Sequence, residues 1–232
     1  INSSSIDDAI KLINKAKKPF IVWGQGVILG NAEHEFKSFV EKSGIPAAWT
    51  ILGVSALPTS HELNVGMVGM HGNYGPNILT NECDLLIAIG MRFDDRVTGD
   101  PKTYANQAKI IHLDIDPAEI NKNIKVEVPI IGDCKESLKL ITEKIEKRSH
   151  EKWISKFDNL MKIEFDKVIN SDLNPSKKGL TMGESIIAIN EQTNGDAIIV
   201  TDVGQHQMVA CRYANFIQSK SNITSGGLGT MG

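Results

Sequence analysis

Four apolar runs, each closed by a glycine or an aspartate, constrain this chain more than any other feature. Residues 19–23 read Pro-Phe-Ile-Val-Trp and run into Gly24-Gln25-Gly26. Residues 84–90 read Asp-Leu-Leu-Ile-Ala-Ile-Gly, residues 109–115 Lys-Ile-Ile-His-Leu-Asp-Ile, and residues 128–132 Val-Pro-Ile-Ile-Gly. Runs this apolar lack the alternation of a strand with one wet face, so they read as strands of a parallel sheet covered on both faces. Parallel neighbours need crossovers, and the intervening segments carry helical spacing. Ser5 offers a hydroxyl N-cap to a helix with Ile6, Ile10, Ile13 and Ala16 on one face. A second helix is expected over about 32–42, before a short strand at 45–48. Asp116-Pro117 supplies a cap and a first-turn proline, and Asp133 caps a helix bearing Leu138, Ile141 and Ile145. The expected architecture is α/β, a Rossmann-like central domain of about six parallel strands.

Charges of both signs fill residues 143–156, which read as a solvated helix face at the domain edge. The polar, Pro- and Gly-containing stretch at 170–179 is the expected linker. Beyond it the pattern restarts with a capping box at Thr181 and Glu184, a helix to about residue 193, and a strand over 197–201. These are the first βα elements of a second α/β domain, too few for a complete layer structure, so that domain is expected to be incomplete.

Composition narrows the function. The 25 Lys+Arg against 28 Asp+Glu give a net charge of −3, with no basic footprint for nucleic acid. The run at 85–89 is far shorter than the roughly 20 residues a membrane span requires. Cys83, Cys134 and Cys211 are odd in number and form no C-x-x-C pair, which fits a reducing cytoplasm rather than a disulfide framework or a zinc site. The sequence opens without a signal pattern and reads as an internal cut in a longer protein.

In open parallel sheets ligands bind outside the carboxyl ends of the strands, so the residues just after each run are the candidates. Gly24-Gln25-Gly26 serves either a tight turn or ligand contact. Its third glycine, Gly30, comes one residue late for a dinucleotide fingerprint, and the tip of the next strand reads Ala48-Trp49-Thr50 with no acidic residue for an NAD ribose. His71 stands between two glycines in Gly69-Met70-His71-Gly72. Gly90-Met91-Arg92-Phe93-Asp94-Asp95-Arg96 brings guanidinium groups to a strand end, either to hold phosphate or to pin the loop by ion pairs. Asp114 suits hydrogen bonds from ribose hydroxyls, Asp116 reads as a helix cap, and Asp133 can cap its helix or face the ligand. In Asp202-Val203-Gly204-Gln205-His206-Gln207 a strand hands over to a helix whose free N–H groups favour a diphosphate. The glycine-rich string from Ser225 to Gly232 either closes on a flat ligand or is a flexible loop. No G-x-S-x-G, HExxH or Walker A pattern is present.

Taken together, Gly69-Met70-His71-Gly72, Gly90 through Gly99 with its R-F-D-D-R-V-T-G core, His112-Leu113-Asp114-Ile115-Asp116, Asp202 through Gln207 and Thr224 through Gly232 resemble the catalytic (large) subunit family of acetolactate synthase, or acetohydroxyacid synthase. The resemblance covers essentially the whole chain. It implies that residues 1–173 are the central FAD-binding domain and residues 174–232 open the thiamine-diphosphate domain. FAD contacts then fall on Gly24, Gln25, Thr50, Ile51, Val68, Gly69, Met70, His71, Gly90, Met91, Arg92, Phe93, Asp94, Asp114, Ile115, Asp133 and Cys134, with Gly226 and Gly227 near the flavin. Thiamine diphosphate contacts fall on Gln205, His206, Gly229 and Met231. Where the family often has three successive glycines this chain has Gly24-Gln25-Gly26.

The implied reaction joins two pyruvates into acetolactate, or pyruvate and 2-oxobutyrate into acetohydroxybutyrate, in branched-chain amino-acid synthesis. The family's activating glutamate and its Mg2+-binding motif lie outside these residues, so no catalytic residue and no metal ligand is expected within the chain, which alone should be inactive. A homo-oligomer and a regulatory small subunit are the implied partners, with no nucleic acid and no membrane. The alternatives are another thiamine-dependent carboligase or decarboxylase, of the glyoxylate carboligase or oxalyl-CoA decarboxylase type, and a non-catalytic nucleotide-binding module.

Overall fold

The computed structural model describes residues 1–176 and 178–231. Helix α1 (Ser3–Lys15) starts one turn earlier than its Ser5 cap would place it. The Asn2 side chain accepts from the Ser4 amide and takes the capping role instead. Strand β1 (Pro19–Trp23) follows, wholly buried, then the short α2 (Gln25–Leu29) and α3 (Glu33–Ser43). Strand β2 (Ala47–Trp49) begins after Pro46, which has no N–H to give a ladder. Strand β3 (Asn64–Met67) is the element the apolar runs do not reveal: Asn64 and Gly66 are poor strand formers, and only Val65 and Met67 are buried.

Helix α4 (Tyr74–Thr80), β4 (Leu85–Ile89), α5 (Asp95–Thr98), β5 (Lys109–Asp114), β6 (Val128–Ile131) and α6 (Cys134–Lys144) continue the alternation. Asp116 caps a single 3₁₀ turn at Pro117–Glu119, as its sequence foretells. Helix α7 (Glu151–Glu164) keeps the expected solvated face, with Glu151, Lys152 and Lys156 exposed, but also carries a buried stripe that the charge pattern does not reveal. Trp153 and Phe157 are buried, and the Trp153 indole donates to the Pro19 carbonyl at 2.8 Å. The charged residues around them disguise an apolar stripe.

A π-helical stretch at Phe165–Ile169 carries α7 into α8 (Asn170–Leu173), so helix runs into the first four residues of the expected linker. Helix α9 (Met182–Thr193) opens with the capping box of Thr181 and Glu184. It is followed by β7 (Ile199–Thr201), α10 (Gln205–Tyr213) and β8 (Asn222–Thr224).

The large sheet runs β3-β2-β1-β4-β5-β6 and every pair in it is parallel. Chain order reverses between β1 and β4, the switch point of a doubly wound sheet. The strand period of two sorts side chains between two cores. Ile21, Trp23, Ile87 and Ile89 join Phe36 of α3 and Leu138 of α6 on one face. Phe20, Val22, Leu86 and Ala88 join Leu79 of α4 and Phe157 of α7 on the other. Strands β7 and β8 form a separate parallel pair. The segment containing them shares the first core, to which it contributes Cys211, Ala214 and the fully buried Phe216.

Candidate nucleotide-binding cleft

At the carboxyl ends of β1 and β4 the two strand-end turns lie against each other. The Gly24 amide donates to the Ile89 carbonyl at 3.0 Å and the Gly26 amide to the Gly90 carbonyl at 2.9 Å. A Cβ on Gly24 would sit 2.5 Å from the Gly90 oxygen. One on Gly90, whose φ is +56°, would sit 2.6 Å from the Gly26 Cα. These glycines therefore answer first to the closeness of two backbones. What they leave above them is open space. A cleft of about 870 Å³ lies over the switch point, within the usual range for small-molecule sites.

Of the candidate residues, Gln25, Thr50, Ile51, Val68, Met70 and His71 line one side of this cleft. Gly90, Met91, Arg92, Asp94, Asp114 and Ile115 line the middle. Asp133, Cys134, Gly226 and Gly227 complete the lining, with Gly226 against Leu52. Gly24 lies beneath the floor rather than in it. Gly69 faces a second, smaller hollow, where its amide and carbonyl are bracketed by the Asn77 side chain at 2.9 and 2.8 Å. Phe93 is buried against His112 and Tyr104, at ring separations of 5.0 and 6.0 Å, so it supports the loop from below.

The expected diphosphate contacts are not gathered there: Gln205, His206, Gly229 and Met231 line neither hollow. The first two are exposed, with His206 paired to Asp202, and Met231 is 75% exposed. Gln207 and Met208, one turn into α10, reach the cleft instead. So do Leu52, Met67, Gly132 and Val203. Their common signal is position just past a strand end, or on a helix that only tertiary packing brings near.

Asp114 is the best-defined polar group. Its Oδ1 accepts from the Asp116 amide at 2.9 Å, and its Oδ2 stands 3.7 Å from His112 Nε2, which also contacts the Met91 carbonyl at 2.9 Å. A carbonyl can only accept, so Nε2 carries the His112 proton. Burial pushes the Asp114 carboxyl upward, but His112 and the Asp116 and Ile115 amides together hold it below the ordinary carboxylate value. It is thus an anionic acceptor at the edge of the cleft. Arg92 Nη2 lies 3.5 Å from Asp94 Oδ2, while Asp94 Oδ1 is buried without a partner. The loop thus shows the ion pair of one reading, with the Arg92 guanidinium still mostly in the open. Asp133 likewise does both things, accepting from the Glu136 amide at 3.0 Å while lining the cleft. The Cys134 thiol is pushed up to about 12 by burial and by the neighbouring carboxylates, so it lines the wall as an inert thiol.

A parallel sheet with this strand order, glycine turns in contact at its switch point, and a cleft there lined by an acidic acceptor and an arginine define a doubly wound α/β domain with a small-molecule-sized site. The chain belongs to the family described as thiamine pyrophosphate enzyme, central domain, which it matches over residues 6–141. Among curated proteins it is 42% identical to a probable acetolactate synthase large subunit of Methanococcus aeolicus, over 98% of this chain and 40% of that one. It is 43% identical to the acetolactate synthase large subunit of Corynebacterium glutamicum, over 100% of this chain and 37% of that one. It is 39% identical to the chloroplastic acetolactate synthase of Arabidopsis thaliana, over 99% and 34%. The chain spans about two-fifths of the length of the first two of these relatives. Among the described residues no helix is long and apolar enough to cross a membrane.

Proposed function

We propose that this chain is the central part of an acetolactate synthase catalytic subunit and that its cleft holds FAD. The observation that carries the reading is the conjunction of roughly 40% identity to acetolactate synthases along the whole chain with a cleft at the switch point lined by the strand-end residues. The cleft suits a dinucleotide. Its glycine floor admits close approach, Asp114 accepts from hydroxyls, and the exposed Arg92 guanidinium offers a bidentate partner to phosphate. The tip of β2, Trp49 followed by Thr50, offers no carboxylate to an NAD ribose, which favours FAD over the dehydrogenase-like alternative.

The boundary between the FAD domain (residues 1–173) and the start of the thiamine-diphosphate domain (174–232) belongs to this reading. So do thiamine diphosphate contacts at Gln205, His206, Gly229 and Met231. Those four residues line neither of the two hollows described above. In the longer protein, bound thiamine diphosphate would supply the nucleophilic carbon and electron sink for a decarboxylative joining of pyruvate to pyruvate or 2-oxobutyrate. That carboligation moves no net electrons, so on this reading the chain's residues need only hold the flavin. Mg2+ ligands, the activating glutamate, a homo-oligomeric partner, a regulatory small subunit and a cytoplasmic setting complete the reading, and the chain alone turns over no pyruvate.

Titration of the purified chain with FAD, NAD and AMP tests the central claim. A ligand that binds only the folded form raises the melting temperature, by the equivalent of about 2.7 kcal/mol at a hundredfold excess over Kd. FAD-selective stabilisation is expected. Stabilisation by NAD without FAD would sink the flavin reading.

A further inference from the structure

The cleft wall formed by residues 68–71 is held from behind by a side-chain relay that ends on a buried carboxylate. Asn73 takes the Met67 amide on its Oδ1 at 2.9 Å, and its backbone N–H donates to the Met67 carbonyl at 2.8 Å. Asn77, one turn further along α4, brackets Gly69 with its side chain alone, its Oδ1 accepting from the Gly69 amide and its Nδ2 donating to the Gly69 carbonyl. The wall is thereby pinned to the first turn of α4. That turn in turn rests on Glu164: its Oε2 accepts from the Tyr74 amide at 3.0 Å and stands 3.4 Å from Asn73 Nδ2.

Glu164 is the last residue of α7, directly before the π-helical stretch, and is only 6% exposed. Its Oε1 receives the Arg212 guanidinium from α10. Arg212 lies one turn beyond Met208, on the same side of that helix, and Met208 lines the cleft. A single buried carboxylate thus stands between two separate pieces of cleft wall, one from the β3–α4 junction and one from α10. Buried carboxylates are retained only where they are paired and hydrogen-bonded, and here the two oxygens together engage both walls, Oε1 holding Arg212 with Asn73 Nδ2 at 3.5 Å and Oε2 holding Tyr74.

We propose that Glu164 is a positioning residue that gears the 68–71 wall of the cleft to α10 through Arg212. The link to flavin rests on the FAD reading above; the gearing does not. Without Arg212 the carboxylate loses its charge partner, its hold on Asn73 and Tyr74 weakens, and the wall loosens although Arg212 hydrogen-bonds Glu164 rather than residues 68–71.

Native-state hydrogen exchange on the ligand-free chain reads this directly. In Arg212→Gln the Met67 and Gly69 amides are expected to exchange roughly tenfold faster, with Arg212→Lys restoring much of the protection. Trp153→Phe, earlier on α7 and remote from the relay, is the control for general loss of stability and should leave these two amides in step with the rest of the sheet. Glu164→Gln should reproduce the effect of Arg212→Gln, and the double variant should add nothing to it. A folded Arg212→Gln chain with unchanged exchange at Met67 and Gly69 overturns the proposal, even if Glu164→Gln does not fold. FAD affinity of the same variants separates the two readings. Faster exchange with weaker FAD binding supports both. Faster exchange in a chain whose wild type binds no FAD supports the gearing and overturns the flavin assignment.

Discussion

Gly90 and Gly227 both line the cleft, yet they answer to different constraints. Gly90 has a left-handed backbone and no room for a Cβ, whereas Gly227 has open space around it. Gly90→Ala is expected to lose roughly 2–3 kcal/mol of stability, from strain plus the forced separation of the two turns. Gly227→Ala should stay within about 0.5 kcal/mol of wild type. Urea midpoints of the two variants check this, and equal midpoints would refute the account of the glycine floor. A second residue-level expectation concerns His150, which is buried at the start of α7. Burial, and then the Arg148 cation, push its pKa down, against the opposing pull of the Asp84 carboxylate and the Ser43 backbone. A lowered histidine favours the neutral form in the fold. The stability it contributes is therefore complete above the unfolded value of about 6.5 and is lost as the pH falls through the folded value. Wild type should lose more stability than His150→Gln between neutral pH and pH 5, as measured by urea unfolding at each pH.

Among the elements, α7 is where charge misleads. Its composition reads as a wet surface, but two of its side chains cover one face of the sheet. Phe157 is fully buried, 5.2 Å from both Phe20 and Trp153 by ring centroid. Phe157→Ala should cost about 3–5 kcal/mol, mostly as the cavity left between α7 and β1. A loss under 1 kcal/mol in chemical denaturation would mean that α7 is not a structural layer. Strand β3 is the opposite case. Its sequence has little strand character, and its place at the sheet edge comes from β2, whose Ala47 amide reaches the Leu63 carbonyl, and from Asn73. Edge position tolerates the weak propensity.

For the whole molecule, the segment after residue 173 has almost no core of its own. Ile198, Val200 and Ile223 are more than half exposed, while Cys211, Ala214 and Phe216 are buried in the core of the large sheet. The chain cut to residues 1–173 should unfold cooperatively, and residues 174–232 alone should show no cooperative transition, because so short a segment buries too little surface to offset its chain entropy. Circular dichroism melts of both pieces decide the matter. A cooperative melt of 174–232 would make it an independent domain.

The sequence by itself determined the parallel α/β architecture and the strand ends that make the cleft. Runs such as residues 85–89 are too apolar to face water, and their closing glycines and aspartates fall where a doubly wound sheet exposes ligand-binding turns. The family was legible because its motif strings stand at those same turns. Only the tertiary structure decided that Gly24 lies under the cleft while Gln207 and Met208 reach into it, that α7 is a core helix, and that Glu164 joins Asn73 to Arg212. Those facts depend on which distant segments meet. Local periodicity reports whether a residue is buried, but the partner it is buried against is set by packing across the whole chain.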